Sequence, residues 1–140
     1  MSTLLFLLAG CSLHLGTVPT PGFVLTEVVA PVAEPGVDDA VRGAVARALS
    51  ARSADGDTAL SVRVERADWR PGRRVGEVVT YEATLALRFR TGERERSVVV
   101  TSPFPDPGTA NAGNLVRAAA FVQLAERAAE QGVAWLTLGR

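Results

Sequence analysis

The sequence contains one cysteine, one histidine and no lysine among 140 residues. A single cysteine closes no intramolecular disulfide, and one cysteine with one histidine cannot supply a zinc site of the usual ligand spacing. The core must therefore hold by packing alone. Fifteen basic residues, every one an arginine, balance fifteen acidic ones. With no net field, nothing in the overall charge draws the chain to nucleic acid or onto a charged membrane, and charge-driven contacts have to be local. The apolar run Leu4 to Ala9 is six residues long, far short of the roughly 20 that a membrane-crossing helix needs. A glycine-rich phosphate loop is missing as well.

These absences bear on chemistry. Nucleophilic catalysis needs a base held beside Ser, Cys or Thr, and the one histidine, His14, lies in a Pro/Gly/Thr-rich stretch where a solvated side chain is expected. Asp38 and Asp39 fit the first turn of a helix, and Asp55 and Asp57 fit a turn, so neither pair requires an acid-base role. A non-catalytic protein without metal or cofactor is the expectation, and a lipid-anchored hydrolase has no convincing catalytic residue to rest on.

What is present begins with Leu8-Ala9-Gly10-Cys11, directly after the apolar run. Small residues before a cysteine form the pattern of a bacterial lipobox, where cleavage leaves the cysteine first and its thiol carries diacylglycerol. Each buried methylene then contributes about 0.8 kcal/mol, so that two or more acyl chains anchor durably. The same run also fits a hydrophobic first element with Cys11 in the core. Its position at the amino terminus favours the signal-peptide reading, although Met1-Ser2-Thr3 lacks the usual positive charge. The expected organisation is a lipoprotein signal peptide over 1–10, a lipidated tether over 11–22 and a single domain over 23–140.

Within that domain, 47% hydrophobic residues in the chain suffice for one core. Phe23 to Val29 reads as a strand closed by Pro31 and Pro35-Gly36. Val37, Val41, Val45 and Leu49, flanked by Ala40, Ala44 and Ala48, make one face of an amphipathic helix, with Arg52 at its end. Alternation then predicts strands over Ala59 to Glu65, Val79 to Arg90 and Arg94 to Thr101, the last two joined at Thr91-Gly92-Glu93. Pro103, Pro105, Pro107 and Gly108 are expected to stop strand and helix alike. A closing helix capped by Asn111 or Asn114 carries Leu115, Ala118, Val122, Ala125, Ala129, Val133 and Leu136 as its apolar stripe, widened by Phe121, Leu124 and Ala128. The order β-α-β-β-β-α predicts an α+β two-layer sandwich, a four-stranded sheet with two helices.

Two arginine groups stand out. Arg66, Arg70, Arg73 and Arg74 surround an expected turn at Pro71-Gly72 beside Trp69, and Arg88, Arg90, Arg94 and Arg96 crowd the next hairpin. Arginine forks suit phosphate or carboxylate, and tryptophan offers an apolar face, so Trp69, Arg70, Arg73 and Arg74 form a candidate anionic-lipid site. A solvated charged turn fits the same residues, and in the second group Glu93 and Glu95 offset the arginines.

Laid end to end, the sequence resembles the lipopolysaccharide-assembly lipoprotein family, the LptE-like proteins. The likeness rests on Gly10-Cys11-Ser12-Leu13-His14-Leu15, on Asp39-Ala40-Val41 in the first helix, on Tyr81-Glu82-Ala83-Thr84-Leu85 and on the closing amphipathic helix. The resemblance implies an outer-membrane lipoprotein, lipidated at Cys11 and facing the periplasm. Such a protein plugs an LptD-like β-barrel and assists lipopolysaccharide on its way to the outer leaflet. An auxiliary subunit of an ABC transporter, or an activator of a cell-wall synthase, is the competing expectation.

Overall fold

The computed structural model describes residues 22–32, 34–52, 56–76, 78–106 and 108–138. The signal peptide expected over 1–10, Cys11, His14 and all of the tether but Gly22 lie outside the described residues. Six elements follow in the expected order: β1 (Phe23–Val29), α1 (Val37–Arg52), β2 (Thr58–Val75), β3 (Val78–Thr91), β4 (Arg94–Pro105) and α2 (Ala110–Leu138). The strands form one sheet in the order β1-β2-β3-β4, with β1 parallel to β2 and the other neighbours antiparallel. One face is covered by the helices, α1 against β1 and α2 against β3 and β4, and the two helices pack on each other. The result is the α+β two-layer sandwich that the alternation and helical stripes called for.

Core and open faces follow the pleat. Leu60, Val62 and Val64 of β2, Ala83, Leu85, Leu87 and Phe89 of β3, and Val98 and Val100 of β4 are buried toward the helices. On the other face, Thr84 and Thr101 share a hydroxyl hydrogen bond of 3.0 Å across β3 and β4. The turn between these strands has Gly92 at φ 58° as its first central residue, the conformation that a two-residue hairpin loop of the II′ kind demands.

The strand ends depart from expectation in two places. β2 does not stop at Glu65 for a turn at Pro71-Gly72 but runs on to Val75, with Gly76 at φ 63° turning the chain. The reason is a bulge between Val64 and Arg66, which inserts one residue and shifts the phase of the alternation. Beyond it Ala67 and Trp69 take the core side and Arg66, Asp68 and Arg70 the open side. β4 likewise continues through Pro103 to Pro105. Asp106 donates its N–H to the Val79 carbonyl at 2.9 Å, so by alternation the nitrogens of Pro103 and Pro105 face away from β3. β4 is the edge of the sheet, where a missing donor on the outer side costs no pairing.

Helix α1 buries Val37, Val41, Ala44, Val45, Ala48 and Leu49, the face read from its sequence. In α2 the cap is Thr109, not Asn111 or Asn114. Its hydroxyl accepts the Ala112 N–H at 3.3 Å and its carbonyl accepts the Gly113 N–H at 2.8 Å. The buried face comprises Ala120, Phe121, Leu124, Ala125, Ala128, Ala129, Gly132, Val133 and Leu136. Leu115, Ala118 and Val122 are instead exposed, Leu115 at 74%. At 29 residues, α2 is about 43 Å long against about 24 Å for the 16 residues of α1. Its first turns run past the shorter helix, and a segment apolar on nearly every side gives periodicity no single face to select.

Two contacts fix α2 in place. The Phe89 ring occupies the space where a Cβ on residue 132 would stand, so the helix reaches this distance from β3 only because that residue is glycine. Higher up, Arg117 grips Glu34, with Nε donating to Oε1 at 2.7 Å and Nη2 to Oε2. The Glu34 side chain is 8% exposed, and its hydrogen bond, aided by its charge, raises the Arg117 guanidinium above the ordinary arginine value against the lowering by burial. This bidentate pair ties the segment before α1 to α2.

Two stability measurements check these contacts. Gly132→Ala is expected to lose about 1–3 kcal/mol by urea unfolding, and combining it with Phe89→Leu to cost less than the sum of the two single changes. Arg117→Met leaves a buried carboxylate unpaired and is expected to lose roughly 1–3 kcal/mol, part of which returns when Glu34→Gln is added. Strict additivity in either pair would contradict the contact.

Candidate functional site

Trp69 lies on β2 beyond the bulge and faces the helix layer. Its ring stacks on Tyr81 of β3, centroids 5.0 Å apart at 11°, and meets Phe104 of β4 at 6.0 Å and 32°. Register places the three rings side by side: Trp69 is opposite Ala83, and Tyr81 is opposite Phe104. All three are partly buried. The shorter α1 packs against β1 and leaves this end of the sheet to α2. A cleft of about 260 Å³ remains there, lined by Trp69, Tyr81, Asp106, Thr109 and Gly113 among others.

Arg70, expected beside Trp69, does not join it. Successive residues of a strand point to opposite faces, and Arg70 lies on the open face with Asp68, which receives Arg66 Nε at 2.5 Å and Arg70 Nη2 at 3.1 Å on one carboxylate oxygen. Neither N–H is aimed well at that oxygen, so the contact is electrostatic, without directional hydrogen bonds. Arg73 offers its backbone carbonyl to the Thr80 hydroxyl at 2.8 Å, and its side chain and that of Arg74 are exposed. The structure therefore assembles Trp69 with Tyr81 and Phe104, turns Arg70 to the opposite face, and places Arg74 opposite Val79 at the end of the strand pair.

The second arginine group divides in the same way. Arg88 sits on the open face between Glu65 and Glu95, 3.2 Å from the latter, and Ser97 adds a hydrogen bond to Glu65 at 3.3 Å. A shallow cleft of about 280 Å³ runs beside it, bordered by Glu27, Arg63 and Arg90. Charges of both signs interleave across this face, and each exposed pair contributes little by itself. On the helix side, Arg94 lies over the Trp135 ring at 4.8 Å. Arg96 borders a cleft of about 420 Å³ with Gln131, Ala134, Trp135 and Leu138.

Sequence reasoning overlooked Phe104, Glu34, Arg117 and Trp135. Phe104 continues the alternation of Val98, Val100 and Ser102, a signal hidden by the flanking prolines. Glu34 and Arg117 are 83 positions apart and carry no local signal of their pairing. Among the described residues no three His, Cys, Asp or Glu side chains converge as metal ligands would, and no helix is long and apolar enough to cross a membrane.

No family model matches the chain, and no curated protein matches it. Solved structures do. A minor lipoprotein of Acinetobacter baumannii is similar with a TM-score of 0.60 at 16% identity, over 85% of this chain and 92% of that one. A candidate lipoprotein of Caulobacter crescentus follows at 0.56 and 14%, over 86% and 89%. A Xanthomonas campestris protein of the DUF330 family aligns at 0.52 and 18%, over 85% and 87%. At such identities the likeness is one of architecture, and the six-element sandwich of this chain is the fold that these three proteins share.

Proposed function

We propose that the protein is a lipid-anchored lipoprotein of the bacterial envelope, acylated at Cys11, that serves as a non-catalytic assembly or binding subunit. The observation that carries this reading is the conjunction of Leu8-Ala9-Gly10-Cys11 with a fold whose solved examples include a minor lipoprotein and a candidate lipoprotein. Either alone is weak, since a four-residue pattern recurs by chance and a fold does not fix a function. Together they address the same property from independent directions.

The finer reading follows the LptE-like resemblance. The domain stands on the periplasmic side of the outer membrane, seats within an LptD-like β-barrel and assists lipopolysaccharide assembly. The aromatic cluster of Trp69, Tyr81 and Phe104 supports a role in holding an acyl chain or an apolar partner segment. One feature favours the alternative, an auxiliary of an ABC transporter or an activator of a cell-wall synthase. The β3–β4 loop has only two residues and offers little to fill a barrel lumen.

Partner identification from native membranes separates these readings. The native protein, extracted in mild detergent, is expected to co-purify with a β-barrel protein, whereas transporter or synthase subunits would establish the alternative. Cys11→Ser is expected to move most of the protein from the membrane to the soluble fraction. Unchanged membrane association in that variant would refute the anchor.

A further inference from the structure

The strand directions give the domain two distinct ends. At one, the chain enters at Gly22, whose carbonyl accepts the Thr58 N–H at 3.3 Å, and Phe23 begins β1 opposite Thr58. The β3–β4 hairpin turns at this same end, because Ser61 of β2 pairs with Arg90 just before Gly92. The last turns of α2 arrive there too, with Gly132 against Phe89 and Trp135 beneath Arg94. The opposite end holds the β2–β3 turn, the start of α2 and Trp69. Ten residues of β2 separate Thr58 from Trp69, and with one step taken up by the bulge the strand spans about 33 Å between them.

The entry end carries an unusual set of side chains. Leu138 is 79% exposed, Trp135 is only half-buried, and between them and Arg96 opens the 420 Å³ cleft. Tryptophan with a nearby arginine is the pairing found where protein meets the headgroup region of a bilayer: the indole rests at the apolar boundary while the guanidinium reaches phosphate. Asp57 and Glu93 are exposed at the same end, so the local field is close to balanced and the attraction is apolar rather than long-range.

We infer that this end of the domain, formed by Trp135, Leu138, Arg94 and Arg96, rests on the surface of the bilayer that holds residue 11. The inference builds on the lipid-anchored reading of Cys11. Ten residues, 12–21, separate Cys11 from Gly22, eleven steps that span at most about 40 Å. A leash of that length leaves the entry end within reach of the headgroups, and it leaves Trp69 far from them when the strands stand upright. A weak apolar contact suffices, since the anchor supplies the high local concentration. Trp135 and Leu138 enter the headgroup layer, and the cluster at Trp69 is presented toward whatever the protein binds.

The two tryptophans make the test direct, because the chain has no others. The chain from Cys11 onward retains every described residue and a single thiol. It is coupled through that thiol to a maleimide-headgroup lipid in vesicles of phosphatidylethanolamine and phosphatidylglycerol. Coupling supplies the tether whether or not a cell acylates Cys11, so failure of the anchor reading and failure of this inference remain distinguishable. With Trp69→Phe, brominated acyl chains are expected to quench Trp135 emission about twofold, as for an indole at the membrane interface. With Trp135→Phe, quenching of Trp69 is expected to be slight, and Leu138→Asp added to Trp69→Phe is expected to lower the quenching of Trp135 toward that level. Circular dichroism confirms that each variant is folded. Trp135 quenched no more than Trp69 would overturn the proposal.

Discussion

Phe89 and Gly132 meet where the last turns of the longer helix lie over the hairpin end of β3, and much of the architecture depends on how closely they do so. A Cβ on residue 132 would collide with the ring, so the helix would have to lift or the ring to turn. Either movement would loosen the alanine-rich face of α2, where Ala125, Ala128 and Ala129 allow close approach and have little side-chain reach to fill a wider gap. Further up, the buried Glu34 carboxylate is tolerable only because Arg117 reaches it from the same helix. One contact sets the depth of α2, and the other sets its rotation relative to the segment that leads into α1.

From this placement comes the polarity of the molecule. The 29-residue helix spans the whole sheet whereas α1 covers only part of it, so the two ends of the sandwich are built differently. One end gathers the chain entry, a two-residue hairpin loop, Trp135 and Leu138. The other gathers three aromatic rings in a cleft beside the start of α2. A domain held to a surface by its first residues gains from such a division, since one end can face the surface and the other a partner.

Element order and fold class were legible in the sequence because α1 and β3 carry clean periods, Val37, Val41 and Val45 in one and Ala83, Leu85 and Leu87 in the other. Legibility failed where a local rule was outweighed. A bulge at Val64 and Arg66 moved the alternation by one residue and made a continuous strand look like a strand followed by a charged turn. Pro103 and Pro105 read as stops, yet an edge strand accepts proline on its outer side. In α2 the stripe from Phe121 to Leu136 is buried as read, but in the first turns, apolar on nearly every side, Leu115, Ala118 and Val122 are exposed. The candidate site suffered most from the first of these. Arg70, Arg73 and Arg74 looked adjacent to Trp69 as a turn, but in a strand Arg70 faces the opposite way, to Asp68, while Tyr81 and Phe104 came to Trp69 through register that no local pattern discloses.

The similar solved structures share this fold at identities where fold alone carries over, so the envelope assignment rests chiefly on the chemistry of one thiol. Its most direct measurement is the intact mass of the protein extracted from the membranes of its own cell. A lipid anchor at Cys11 requires a chain that begins at that residue and carries the added mass of diacylglycerol on sulfur, with or without a further acyl group on the new amino terminus. A chain that still begins at Met1 with an unmodified thiol, recovered from the soluble fraction, would contradict it.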